Sequence, residues 1–244
     1  MTNVALRGCF VTGTDTGVGK TLVSAAMVHL LCRNGHRAAG LKPVAAGLEL
    51  VDGEWVNEDV LMLQEASSLD LSRKDIGPCQ FQRACAPHIA AMEEGRAIHR
   101  PSLIEAAVSL GSRVDRLVVE GVGGFCVPFG DDWSSADLAV DFDLPVVMVV
   151  GLRLGCLNHA ILTKEAVERR GLRLTGWVAS VIDPGMAYPR ENTAALKKWL
   201  SPVPCLGVVP NLAAPCAALA STYLIPDAVG FALGHSRQLS REVQ

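Results

Sequence analysis

The segment Gly13-Thr14-Asp15-Thr16-Gly17-Val18-Gly19-Lys20-Thr21 constrains the fold more than any other stretch of the chain. It follows a short apolar run, Cys9–Thr12, and precedes Lys20–Asn34, a stretch with helical spacing that stops at Gly35. Strand, glycine-rich loop and helix in this order form a unit whose backbone N–H groups converge on an anion at the positive end of the helix. A lysine in the turn reaches the outer phosphates of a polyphosphate, and the hydroxyl that follows it sits on Mg²⁺. Lys20 and Thr21 hold these two places. The strict pattern has Gly where this chain has Thr14, so the loop counted from Gly13 is one residue longer than usual.

The rest of the chain alternates in the same way. Strands are expected at Arg37–Val44, Leu117–Val119, Pro145–Val150, Leu174–Ala179 and Leu206–Val209. Helices are expected at Asn57–Ser67, Pro87–Glu94, Ser102–Val114, Asn158–Arg170 and Asn192–Leu200. The stretch Ser221–Gln244 is ambiguous, with fraying expected from His235. Such alternation predicts an α/β fold, a parallel sheet with helices on both faces. Ligands of such sheets bind beyond the carboxyl ends of the strands. No repeat or linker divides the chain, so a single domain over residues 1–244 is expected.

Composition narrows the class further. With 50% hydrophobic and 19% charged residues the chain has ample material for a core, and global disorder is excluded. A net charge of -3 gives no basic field, so no nucleic-acid partner is expected. The longest apolar stretch, Leu144–Leu152, is far short of the ~20 residues of a spanning helix, so no membrane is expected. The first apolar run leads straight into the loop and does not resemble an export signal. The eight cysteines include no CxxC pair. Free thiols and a cytoplasmic location are therefore expected.

Several residues stand where the strand-end rule directs attention. Glu120 follows the apolar run Leu117-Val118-Val119 and precedes Gly121, Gly123 and Gly124. A carboxylate at the end of a buried strand is costly without a cation, although a surface or capping glutamate is the plainer alternative. Asp59 opens a helix, where it could join Glu120 on Mg²⁺ or simply complement the helix dipole. Lys42 ends the second strand; it is either a stabiliser of developing negative charge or an ordinary solvated lysine. Gly155-Cys156-Leu157-Asn158 leads into a helix whose N–H groups could hold a carboxylate, unless Asn158 merely caps it. His88 and His159 read as structural, and no Ser-His-Asp pattern is visible.

Taken together, these stretches resemble the dethiobiotin synthetases. The resemblance runs through Phe10–Thr21, Leu41-Lys42-Pro43-Val44-Ala45, Asn57-Glu58-Asp59, Ala86-Pro87-His88-Ile89, Val119–Gly124, Val150–Ala160 and Gly176-Trp177-Val178-Ala179, in order. It implies a P-loop NTPase-like sheet and conversion of 7,8-diaminopelargonate, CO₂ and ATP to dethiobiotin, ADP and phosphate. The resemblance assigns Thr16, Lys20 and Lys42 to the carbamate and the transferring phosphate, and Thr21, Asp59 and Glu120 to Mg²⁺. Gly17, Val18, Gly19, Lys20, Thr21 and Leu22 would wrap the phosphates, and Glu120, Gly121, Val122 and Gly123 would line the nucleotide. Ser180, Val209, Pro210 and Asn211 would lie near the adenine. Leu157 and Asn158 would receive the substrate carboxylate from the other subunit of a homodimer. This chain departs from the family at Ala46, where a Ser hydroxyl often touches the substrate, at Ser180, where Asn is common, and at Val122, where Ala is usual. A partitioning-type switch ATPase shares the glycine loop, but it usually carries a second lysine near Thr14-Asp15.

Overall fold

Runs of Val, Ala, Leu and Gly pair most readily where both faces of a strand are buried, and six such runs form one sheet. The computed structural model describes residues 6–234; the expected fraying beyond His235 lies outside them. The described strands are β1 (Gly8–Gly13), β2 (Ala38–Leu41), β3 (Val44–Ala46), β4 (Glu49–Val51), β5 (Glu54–Val56), β6 (Cys79–Phe81), β7 (Arg116–Glu120), β8 (Val146–Gly151), β9 (Leu174–Ser180) and β10 (Cys205–Val209). The helices are α1 (Lys20–Arg33), α2 (Glu58–Ala66), α3 (Arg73–Ile76), α4 (Pro87–Glu93), α5 (Arg100–Gly111), α6 (Ser135–Phe142), α7 (Cys156–Arg169), α8 (Pro189–Trp199), α9 (Ala217–Ser221) and α10 (Pro226–Gly234).

The main sheet has the order β10-β9-β8-β1-β7-β2, and every neighbouring pair is parallel. All residues of β1 and β8 are buried. Successive side chains point to opposite faces, so the centre of the sheet is covered on both sides. Helix α1 packs on β7 and β2 and gathers α2 and α9; α5 packs with α6, and α7 with α8. The chain leaves β1 through α1 and lays β2 at the edge. β7 then enters between β2 and β1, and β8 takes the other flank of β1. The succession of strands thus reverses at β1, which makes the crevice beyond its carboxyl end the place for a ligand.

Most expected elements agree with the observed ones to within one residue at each end. Four differ for physical reasons. The strand expected over Arg37–Val44 is two strands, because Pro43 has no N–H to continue a ladder and the Lys42 N–H turns to Ile76 O at 2.7 Å. β3 then leaves the main sheet and pairs with β6. Helix α7 starts at Cys156, since Gly155 adopts φ 94 as its N-cap; Asn158 therefore does not cap its own helix. α8 begins at Pro189 rather than Asn192, and α5 begins at Arg100, each with proline in its first turn. The hairpin β4–β5 and the helices α3 and α6 are among the elements not expected from the sequence, although each carries a visible signal. Asp52-Gly53, with φ of 51 and 83, turns the β4–β5 hairpin. Ser134 and Asp137 form the capping box that opens α6.

Candidate active site

The glycine-rich loop is anchored on both flanks. The Thr14 N–H donates to Val149 O at 3.0 Å, tying the first turn to β8. At the other end Gly19 is the N-cap of α1 with φ 85, and no side chain caps the helix. A Cβ on Gly19 would lie 2.7 Å from Ser180 Oγ, so both backbone angle and space require glycine. The first N–H groups of α1 are left without intrahelical partners, ready for an anion.

Lys20 is buried, and its ammonium donates to Asp15 O at 3.0 Å. Burial first, and then the neighbouring Lys42, push its pKa down to about 8. The Asp15 carboxylate accepts the Thr16 N–H at 2.7 Å and pairs with Arg153 in the turn between β8 and α7. The Thr16 N–H holds the Asp15 carboxyl below its usual range, with Arg153 and His159 adding to this against the effect of burial. Sequence reasoning assigned nothing to Asp15 and Arg153. They lie 138 residues apart, and no local pattern announces the pair.

The second cluster meets the first at the ends of β2 and β7. Lys42 is 2% exposed and Glu120 is 1% exposed, which excludes a solvated lysine and a surface glutamate. The Lys42 ammonium donates to Glu120 Oε1 at 2.6 Å, pairs with Asp59 Oδ2 at 2.7 Å and reaches Gly121 O at 3.3 Å. The Thr21 hydroxyl lies 2.6 Å from Asp59 Oδ1 and 2.8 Å from Glu120 Oε1. Asp59 is aimed here by Asn57, whose carboxamide oxygen caps the Val60 N–H at 3.2 Å while its NH₂ donates to Gly47 O at 2.8 Å. Burial favours the neutral form of Lys42, but Glu120 and Asp59 overcome it, so its proton is held more tightly than in an ordinary lysine. Asp59 shows the converse. Burial would raise its carboxyl, yet Lys42 holds it below the usual range.

The donor set fits a magnesium ion. Thr21, Asp59 and Glu120 present a hydroxyl and two carboxylates, and Mg²⁺ takes one or two carboxylates and completes its shell with water and phosphate oxygens. Glu120 Oε2 is buried and has no hydrogen-bond partner, an acceptor left over at this place. Among the described residues no group of three or more His, Cys, Asp or Glu is placed to hold a metal ion.

The remaining sequence-derived candidates surround these clusters. Gly17 and Val18 lie within the loop, and Leu22 lies in the first turn of α1. A Cβ on Gly123 would meet Thr16 Oγ1 at 3.3 Å, which places Thr16 beside the turn that follows Glu120. Val122 packs partly buried against the core. Ser180 ends β9 against Gly19, and Val209 ends β10, followed by Pro210 and Asn211. Ala46 ends β3 opposite Phe81. Leu157 is partly buried and Asn158 exposed, both in the first turn of α7. No hydrogen bond links them to the Lys42 cluster among the described residues.

A parallel sheet with a phosphate loop at its point of reversal, buried lysines beside it and a hydroxyl–carboxylate set define a P-loop nucleoside triphosphatase fold. The MinC:MinD cell division complex of Aquifex aeolicus shares it at a TM-score of 0.56 and 16% identity, over 96% of this chain and 99% of that one. A ParA family ATPase from Chlorobium tepidum shares it at 0.53 and 13%, over 94% and 100%. A family profile described as an AAA domain matches residues 7–215. The ATP-dependent dethiobiotin synthetase BioD of Aromatoleum aromaticum is 48% identical over 221 residues, 90% of this chain and 98% of that protein. The enzyme of the same name from a Janthinobacterium species is 49% identical over 224 residues, 90% and 94%. The chain belongs to this AAA-domain family and is an ATP-dependent dethiobiotin synthetase by family, an enzyme of biotin synthesis.

Proposed function

We propose that the two clusters divide the work of making dethiobiotin from 7,8-diaminopelargonate, CO₂ and ATP within a single catalytic domain. The observation that carries this reading is the pair of buried ammonium groups, Lys20 and Lys42, flanking the Thr21–Asp59–Glu120 oxygens at the reversal of the sheet. The loop N–H groups from Gly17 to Leu22 hold the triphosphate, and Lys20 turns from Asp15 O to the outer phosphates. Ser180, Val209, Pro210 and Asn211 flank the base, and Glu120, Gly121, Val122 and Gly123 line the nucleotide. Thr21, Asp59 and Glu120 hold Mg²⁺, which supplies charge neutralisation for phosphoryl transfer.

One amine of the substrate captures CO₂ as a carbamate. Thr16 and Lys42 hold this carbamate so that its oxygen takes the γ-phosphoryl group, giving a carbamic–phosphoric anhydride and ADP. The second amine then attacks the carbonyl carbon, closes the ureido ring and expels phosphate. Phosphoryl transfer asks for positioning and fixed positive charge rather than covalent help, which buried lysines provide. Ring closure within one held molecule gains up to about 7–11 kcal/mol from proximity. Ala46 lines the substrate without offering a hydroxyl.

The far carboxylate rests on the N–H groups at the start of α7, around Leu157 and Asn158, supplied by a second copy in a homodimer. The exposed Leu154 and Leu162, 97% and 55% accessible, support a covered face there. All eight cysteines are free, which suits a reducing, cytoplasmic setting, and no described helix is long and apolar enough to cross a membrane.

The test is substrate dependence. ADP formation with ATP, Mg²⁺ and bicarbonate is expected to rise strongly when 7,8-diaminopelargonate is added. Equal ADP formation with and without the diamine would overturn this reading.

A further inference from the structure

The Lys42 ammonium stands where the proposed magnesium ligands meet. We propose that it is a built-in stand-in for the metal, which occupies the seat between Asp59 and Glu120 in the nucleotide-free protein. Lys42 yields that seat, and turns toward the reacting oxygens, only when a divalent cation enters together with a triphosphate. The inference rests on the magnesium reading above and adds an order of events to it.

The acceptors of the pocket are already committed. Asp59 gives Oδ1 to Thr21 and Oδ2 to Lys42, at 2.6 and 2.7 Å. Glu120 gives Oε1 to both, at 2.8 Å to Thr21 and 2.6 Å to Lys42. Only Glu120 Oε2 is left over. A divalent ion bonded at about 2.1 Å to either oxygen that Lys42 holds would lie less than about 5 Å from the ammonium, in a crevice that screens poorly. The two cations therefore exclude one another. An ammonium in this seat also spares the free protein two uncompensated carboxylates in one buried pocket, the costly arrangement for buried charge.

Lys42 is 2% exposed, so an ammonium leaving the carboxylates does not enter water. It must find another anion. The nearest candidate is the negative charge brought to the adjacent glycine loop. The flexible four-carbon stem permits this change by rotation alone, with its backbone held by the Lys42 N–H bond to Ile76 O. Lys42 is thus delivered to the reacting end under the same condition that completes the metal site. A divalent cation alone finds its place taken, and a triphosphate alone leaves Lys42 on its carboxylates.

The experiment follows protein-bound Mn²⁺ by electron paramagnetic resonance, in the parent chain and in Lys42→Met, with and without a non-hydrolysable ATP analogue. Without nucleotide, Lys42→Met is expected to bind Mn²⁺ at least about tenfold more tightly than the parent. Equal nucleotide-free affinity in the two proteins would overturn the inference while leaving the magnesium reading intact. If Mn²⁺ leaves the analogue's affinity for the parent unchanged, the magnesium reading itself falls and takes this inference with it. A second measurement needs no variant, should Lys42→Met fail to fold. In the ¹⁵N-lysine-labelled parent, the slowly exchanging Lys42 ammonium resonance is expected to ignore Mg²⁺ alone and to shift when Mg²⁺ and the analogue are added together. A shift with Mg²⁺ alone, or none with the pair, contradicts the stand-in.

Discussion

The phosphate loop and the carboxylate pocket beside it each bury a lysine, and they treat it in opposite ways. In the loop, the Lys20 ammonium has a backbone carbonyl for a partner and Lys42 for a neighbour, and its pKa falls to about 8. In the pocket, Lys42 lies against two carboxylates and its proton is held more tightly than usual. Both sites are desolvated, so burial does not separate them; the charges within hydrogen-bond reach do. The loop is short of negative charge, which the proposed triphosphate would supply. In the pocket the protein itself supplies a counter-charge, one ammonium against two carboxylates. In the proposed mechanism the loop accordingly holds the triphosphate and the pocket carries the conditional chemistry.

The strongest way to break this division is to empty the pocket. Lys42→Ala is expected to lower turnover by about 10³-fold or more, with nucleotide affinity nearly unchanged. It should also cost about 3–5 kcal/mol of stability, because Glu120 and Asp59 lose their counter-ion. Steady-state kinetics beside nucleotide titration and chemical denaturation check all three expectations, and unchanged turnover would return Lys42 to the status of a structural residue. Glu120→Gln probes the same pocket from its acidic side. The Mg²⁺ needed for half-maximal activity should rise by at least the roughly 10–100-fold that losing an outer-shell partner costs elsewhere. A magnesium dependence equal to the parent's would remove Glu120 from the site.

Lys20, in the loop, is expected to respond to pH. Above its folded pKa of about 8 Lys20 is neutral in the free protein, and a bound triphosphate must restore its proton. Triphosphate affinity is therefore expected to fall as pH rises past about 8, by up to about tenfold per pH unit. The free protein shows the opposite sign. The unfolded chain binds more protons between about 8 and the ordinary lysine pKa, so the contribution of Lys20 to stability improves as pH rises through that window. Calorimetric titration across pH 7 to 10 in the parent and in Lys20→Met separates this group from others. The smallest effect belongs to Asp15→Asn, which loosens the partly exposed tie to Arg153 and weakens nucleotide binding by only about two- to tenfold.

What was legible in the sequence was local. Cys9–Thr12 followed by the glycine loop, and Leu117–Val119 followed by Glu120, read as strands ending in chemistry because the apolar run and the polar residue are contiguous. The topology was not legible. β7 inserts between β1 and β2 from about eighty residues downstream of β2, and no property of Arg116–Glu120 names its neighbours. For the same reason Lys42 could be read as a solvated residue until β7 brought Glu120 against it. The break at Pro43 was visible as a strand stop, but the departure of β3 to pair with β6 depends on Cys79–Phe81 being at hand. The start of α7 differs from the expected Asn158 because Asn158 is a good cap in isolation, whereas Gly155 in a left-handed conformation already serves.

The division of labour between loop and pocket is tested most directly by a crystal structure with Mg²⁺, a non-hydrolysable ATP analogue, 7,8-diaminopelargonate and bicarbonate. Lys20 Nζ and Lys42 Nζ are both expected at hydrogen-bond distance from the γ-phosphate or the carbamate, with Lys42 no longer bonded to Asp59. Either ammonium facing bulk solvent, or Lys42 still bridging Asp59 and Glu120 beside a bound metal, would contradict it.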